Sequence, residues 1–320
     1  MSSARYLLAC IFLGSVGLLA QDKAALEAQW QNSFRQGVAA YERGDYAQAE
    51  QSLNSAVEVA KKIGNEEHIA MSLYKLTGVY RELGKYTQGE DAAKQSLSIA
   101  ERLHAPGRVV ASILSELGTL CMYHGLFSDA EAAYVRALRI RESDPATTDR
   151  ELAVSLNDLG SFYRRTERPR PAVPLLERAA KLSEKAGGAE SADFASTLEN
   201  LAIAYRHTGQ QQMAEPLYAR VLAIRENLYG PNHPRVGLSL DNMAVFYASE
   251  GKYKEAEQYS RRSVEIFEKA PLGPDHPDLV KALENRAEIL KHLGQKAEAA
   301  VLRDRAQQMR ARHSQANPQH

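Results

Sequence analysis

Neither sign of charge dominates this chain: 40 Lys or Arg residues stand against 40 Asp or Glu, for a formal net charge of 0. That balance excludes the general attraction to nucleic acid or to an anionic membrane surface that a strongly basic protein has. Cysteine is nearly missing too, with Cys10 and Cys121 the only two, so no disulfide framework holds the fold together. The longest apolar run, residues 6–20, has 15 residues, short of the roughly 20 that a membrane-spanning helix needs. Strand-like alternation is absent, as are a phosphate-binding glycine loop, a cluster of metal ligands and any arrangement of nucleophile with base. Individual Ser, His and Asp residues occur, but sequence distance does not make them a triad. The chain reads as a protein that is not an enzyme, needs no metal and no cofactor, and is stabilised by packing alone.

What is present begins with a segment unlike the rest. Met-Ser-Ser-Ala-Arg is followed by the apolar run Tyr6 to Ala20 and then by polar Gln21 and Asp22. A basic start, an apolar stretch and a small residue at its end describe an export signal over residues 1–20, cleaved after Ala20. Retention as an anchor is an alternative, as is lipid attachment at Leu7-Leu8-Ala9-Cys10, although there the apolar region continues past the cysteine instead of preceding it. Cleavage leaves a mature chain of net charge −1 with Cys121 its single cysteine. Such a protein is periplasmic or secreted and has no membrane span.

Nearly everything after that segment is one repeating unit. Gly44, Gly84, Gly125, Gly209, Gly251 and Gly294 recur in register, with Glu167 in the fourth slot, at spacings of 40 to 43 residues. Five positions after each stands a small residue: Ala49, Gly89, Ala130, Ala172, Ala214, Ala256 and Ala299. Around Gly209, the residues Ala195, Leu198, Leu201, Ala202 and Tyr205 follow helical steps, and so do Ala214, Leu217, Tyr218, Val221 and Leu222 after it. A turn glycine between two amphipathic stripes makes a helical hairpin, and a small residue after the turn lets the two backbones close up. The pattern predicts helix pairs at 24–43/46–63, 66–83/86–104, 107–124/127–142, 148–166/169–187, 190–208/211–228, 233–250/253–269 and 276–293/296–312. The chain is therefore all-α, one repeat domain over residues 21–312, with 313–320 as a frayed tail. Pro169, Pro171 and Pro174 crowd the fourth turn, which predicts a bend or weak joint there.

Leu201-Ala202-Ile203-Ala204-Tyr205, Gly209, Ala214-Glu215-Pro216-Leu217-Tyr218, Ile224-Arg225-Glu226 and the loops Gly230-Pro231-Asn232-His233-Pro234 and Gly273-Pro274-Asp275-His276-Pro277 resemble the tetratricopeptide repeat, in the longer form of kinesin light chains. The basic unit of that family has about 34 residues. The resemblance covers about residues 31–312 and is strongest over 194–293. It implies a right-handed superhelical solenoid of about seven hairpins whose concave surface, lined mainly by the first helix of each hairpin, holds a peptide segment of a partner protein.

On those first helices two sets of residues stand out. Asn200, Asn242 and Asn285 lie nine positions before their turns. Asparagine is a mediocre helix former, so propensity does not explain its recurrence, and its amide suits peptide groups as donor and acceptor. The competing reading is a hydrogen-bonded packing position. Arg164, Arg165, Arg206 and His207 lie two and three positions before the turns of copies four and five, in slots that hold Arg81, Lys291 and His292 elsewhere. Together they form a positive patch for the carboxylates of an acidic partner. Against this, Glu199, Asp241 and Glu284 stand ten before their turns and can neutralise the patch across copies.

Other residues read as structural. Cys121 takes a slot that Tyr80, Tyr163, Tyr205 and Tyr247 fill elsewhere, Tyr46, Tyr86, Phe127 and Tyr253 recur just after the turns, and His233 and His276 sit in matching Pro-flanked loops. The leading function is an exported adaptor that binds a protein or peptide. A structural assembly component acting through its exposed ends or its convex side is the alternative, including homo-oligomerisation through the last helix, whose stripe Ala299, Leu302, Ala306 and Met309 has no later helix to cover it.

Overall fold

In the computed structural model, residues 3–270 and 276–316 are described, with side chains described over 22–270 and 276–312. The side chains of the leader expected over 1–20, the loop residues 271–275 and the side chains of the expected tail lie outside these bounds. Fourteen helices and no strand make up the described residues, so the expected all-α class and seven hairpins hold. The helices group into two compact units, Met1–Thr147 and Thr148–His320.

The first unit contains α1 (Ser3–Glu42), α2 (Tyr46–Ile63), α3 (Glu66–Glu82), α4 (Tyr86–Arg102), α5 (Gly107–Tyr123) and α6 (Phe127–Ser143). Each odd helix packs on the next even one, and α2 on α3 and α4 on α5 join the hairpins. Trp30 is buried on α1, donating its indole N–H to Ser72 Oγ at 3.1 Å and stacking on His68 with ring centres 3.4 Å apart. It covers the first hairpin. Cys121 is buried, and burial pushes its thiol up to about 11, where the reactive thiolate is scarce at neutral pH.

The second unit contains α7 (Asp149–Arg165), α8 (Pro169–Gly187), α9 (Ala192–His207), α10 (Gln211–Tyr229), α11 (Pro234–Ser249), α12 (Tyr253–Lys269), α13 (Pro277–His292) and α14 (Lys296–Ala316). Its hairpins are α7–α8, α9–α10, α11–α12 and α13–α14, and the first helices also touch one another at α7–α9 and α11–α13. At the α9–α10 turn, Gly209 has φ +78° and Gln210 N–H reaches back to Tyr205 O at 2.8 Å. Glu167 takes the same left-handed conformation, at φ +57°, with Arg168 N–H on Tyr163 O at 2.8 Å. A residue with a Cβ thus makes the turn, at the steric cost that glycine avoids.

Past that turn, α8 runs as one helix from Pro169 to Gly187 with Pro174 inside it. Pro169 and Pro171 fall in the first turn, where backbone N–H groups have no intrahelical acceptor, so only Pro174 forfeits a bond. Close approach between α7 and α8 is enforced at Gly160, where an added Cβ would lie 2.6 Å from Leu176 Cγ. His233 and His276 cap α11 and α13, each accepting through Nδ1 from a backbone N–H two residues on, at 3.1 and 3.2 Å.

The stripe of α14 turns inward. Ala306 and Met309 are buried against Phe267, Leu279 and Leu283, and Ala299 is buried as well. The opposite face presents Arg303, Asp304, Arg305 and Arg310, with Arg305 paired to Glu268 and Arg310 to Glu284. A polar outer face of this kind closes a repeat stack.

Candidate functional site

The recurring asparagines tie successive first helices together. Asn200 Nδ2 donates to Asn157 Oδ1 at 3.0 Å, Asn242 Nδ2 to Glu199 Oε1 at 2.9 Å, and Asn285 Nδ2 to both carboxylate oxygens of Asp241 at 2.9 and 3.0 Å. All three asparagines remain partly exposed. Asp241 is buried, and burial pushes its carboxyl above the ordinary range against the opposing effects of Asn285 and Lys281.

The acids expected to neutralise the positive patch are engaged elsewhere. Glu199 receives two bonds from the buried Arg225 of α10, at 2.7 and 2.9 Å, and that guanidinium also donates to Ser239 Oγ at 2.9 Å. Asp241 faces Asn285 and Lys281, and Glu284 pairs with Arg310.

The structure brings Arg164 of α7 together with Arg206 and His207 of α9, and adds the phenol of Tyr218 from α10. Arg206 bonds to His207 Nε2 at 2.8 Å, and its charge acts on the phenol of Tyr218. Both Arg164 Nε and Arg206 Nε are buried without a hydrogen-bond partner. Among the described residues no carboxylate lies within ion-pair distance of either guanidinium, and Glu199 acts on Arg164 only from farther away. Burial, then Arg165, and also Arg206, pull Arg164 below the ordinary arginine range. Burial, then Arg206 and Arg164, likewise lower His207 against the opposing charge of Glu167. Arg165 is exposed beside them.

The second copy shows what this arrangement lacks. Arg81 stands in the slot of Arg164 and Arg206, and its guanidinium donates to Glu116 at 2.9 and 3.2 Å. Glu116 occupies the position nine before its turn, where the later copies carry Asn200 and Asn242. Copies five and six carry an amide where copy three carries the carboxylate, while the arginine slot is filled in the copy preceding each. Chemically this leaves two half-buried guanidiniums able to make paired, charge-assisted bonds to an external anion.

Sequence reasoning placed Arg164, Arg206 and His207 but missed Tyr218, Asn157 and Arg225. A signal for Arg225 existed in the triplet Ile-Arg-Glu at 140–142 and again at 224–226, whose arginines are both buried. Tyr218 read as part of an apolar stripe.

A model of the tetratricopeptide repeat matches residues 26–102, 69–143, 109–185, 193–269 and 236–311. The chain belongs to the tetratricopeptide repeat family. Among solved structures it is similar to BtubC (BKLC) from P. vanneervenii, at 26% identity over 72% of this chain and 92% of that one, with a TM-score of 0.61. It is also similar to a putative kinesin light chain from Podosopora anserina with nearly identical repeats, at 24% identity over 65% and 97% of the two chains and a TM-score of 0.54. A Rap protein complexed with competence and sporulation factor shares the fold at 14% identity, over 90% and 76% of the chains, with a TM-score of 0.64. No curated protein matches the chain significantly. The tetratricopeptide fold is one associated with protein interaction, and the long spacing of these repeats agrees with the kinesin light chain likeness.

Proposed function

We propose that this protein is a non-enzymatic adaptor, working after export, that holds an acidic segment of a partner protein against the first helices of its second unit. The observation that carries the reading is the pair Arg164 and Arg206, whose Nε atoms are buried without acceptors in the slot where Arg81 has Glu116. A carboxylate from the partner completes the pairing that Asn200 and Asn242 leave open. The exposed remainder of the asparagine ladder lies along the same helices and suits the partner's backbone. The structure of a Rap protein with competence and sporulation factor supports the reading as an instance of this fold in a complex. Export rests on the basic start and the 15-residue apolar run, and N-terminal sequencing of the mature protein tests it.

Charge-assisted hydrogen bonds contribute about 1.5–3 kcal/mol each, so each arginine is worth roughly ten- to hundredfold in affinity. Replacing both Arg164 and Arg206 with Ala therefore weakens a glutamate-containing peptide far more than its glutamine counterpart. Equal losses for the two peptides would falsify the charge selectivity. The alternative reading, assembly through the last helix, loses its main support because the stripe of α14 is already covered.

A further inference from the structure

The slot three residues before the turn holds arginine in copies two, four and five and lysine in copy seven, but Ala248 in copy six. Truncating that side chain opens a notch of about 260 Å³ between α11 and α13. It is lined by Val245, Ala248, Ile289 and the rings of Tyr253 and His292, which stack 4.3 Å apart at 5°. The polar groups at its rim are occupied: Asn285 is bonded to Asp241 and Glu288 to Lys291. Among the described residues no Lys or Arg lines it, so it does not continue the anion site. Its volume falls below the roughly 300–1,000 Å³ of small-molecule pockets and fits a single side chain.

We infer that this notch is a specificity pocket for one branched aliphatic side chain of the same acidic segment. The inference rests on the reading above, because the notch gains its meaning from lying one first helix beyond Arg206. Asn242 of α11 bonds to Glu199 of α9, so the two are neighbouring first helices about 10 Å apart, and an extended chain advances about 3.3 Å per residue. A side chain in the notch therefore belongs to a residue about three positions from the one whose carboxylate meets Arg206. The segment is read as acidic, then two residues of spacing, then aliphatic. Burying the aliphatic group displaces water from an apolar surface, which Val245, Ala248 and Ile289 supply.

The test uses fluorescein-labelled Gly/Ser peptides carrying one pair of glutamates, alone or with a single leucine placed one to six residues away on either side. Fluorescence polarisation gives their affinities for the full chain. A leucine about three residues from the pair, on one side only, raises affinity at least tenfold, and in Ala248→Arg the peptides with and without leucine bind equally. Arginine is tolerated in this slot in three other copies, so the variant tests the notch and not the fold. A leucine gain that is the same at every position, or that survives in Ala248→Arg, overturns the inference. As an independent readout, the ¹³C-labelled methyl of Ala248 shifts on adding the leucine peptide and not the glutamate-only peptide; a static methyl overturns the inference. If the glutamate-only peptide binds and leucine adds nothing, the pocket fails while the anion site stands. If no glutamate peptide binds, both fail.

Discussion

Restoring the missing carboxylate separates recognition from folding. Asn200→Glu places in copy five the residue type that Glu116 supplies to Arg81 in copy three, where guanidinium and carboxylate meet at 2.9 and 3.2 Å with side chains 25% and 27% exposed. A buried charge-assisted bond is worth about 1.5–3 kcal/mol, and the partial exposure of the template pair reduces the expected gain to about 1–2 kcal/mol. The substitution gives up the bond from Asn200 to Asn157, about 1 kcal/mol, part of which returns if the Asn157 amide turns to donate to the new carboxylate. Net stability thus rises by about 0–1 kcal/mol, a shift in Tm of at most roughly 4 °C for a unit of this size. Binding moves the other way. The internal carboxylate occupies Arg164, so affinity for the glutamate peptide falls at least tenfold, or about 1.4 kcal/mol. Circular dichroism melting and fluorescence polarisation on the same sample measure both quantities. A variant that melts like the wild type and binds the peptide equally well refutes the reasoning. So does one destabilised by more than about 2 kcal/mol, since Arg164 would then be unable to accept a carboxylate at that position.

Three further outcomes follow from the packing and electrostatics. Arg225→Met strips the partly buried Glu199 of its two bonds from the buried guanidinium and costs about 3 kcal/mol in urea unfolding, whereas Arg225→Met combined with Glu199→Leu recovers most of that loss; an innocuous single variant contradicts the assignment. Gly160→Ala destabilises by about 1–3 kcal/mol although alanine is the better helix former, because its Cβ meets Leu176, and a stabilised variant counts against that contact. His207 is held below the ordinary histidine range by burial, Arg206 and Arg164, so it is neutral in the free protein at pH 7 and a bound anion raises its proton affinity. The complex then takes up a proton, and affinity climbs as pH falls from about 7 towards 5.5 in the wild type but not in His207→Gln; calorimetry in two buffers that shows no proton uptake disproves the coupling.

The fold was legible because its determinants are local and repeat. A left-handed turn residue, a small residue five positions later and two amphipathic stripes fixed each hairpin, and the register even located Glu167, whose φ of +57° copies its glycine counterparts. The site was legible only by position. Period placed Arg164, Arg206 and His207 together, but nothing in the spacing showed that Glu199 is spent on Arg225, a residue of the second helix, or that the phenol of Tyr218 reaches Arg206. Those partnerships depend on how two helices pack. The asparagines illustrate the same limit, since their bonds to Asn157, Glu199 and Asp241 reach to the preceding first helix. Phe127 was expected to pack with its counterparts after the turns, yet it is 53% exposed, because a slot in the repeat specifies where a side chain starts and not what neighbour it meets. The stripe of α14 read as open for want of a following helix, while its actual partners, Phe267, Leu279 and Leu283, precede it.

The turn and its small residue never share a position with the slots three and nine before the turn, so this chain carries two alphabets on one thread. Recombination between copies out of step by one period of about 42 residues would preserve the first alphabet and rewrite the second. The order of Arg164, Arg206, Ala248 and Lys291 along successive copies is then a word that duplication or deletion can respell without renegotiating the core.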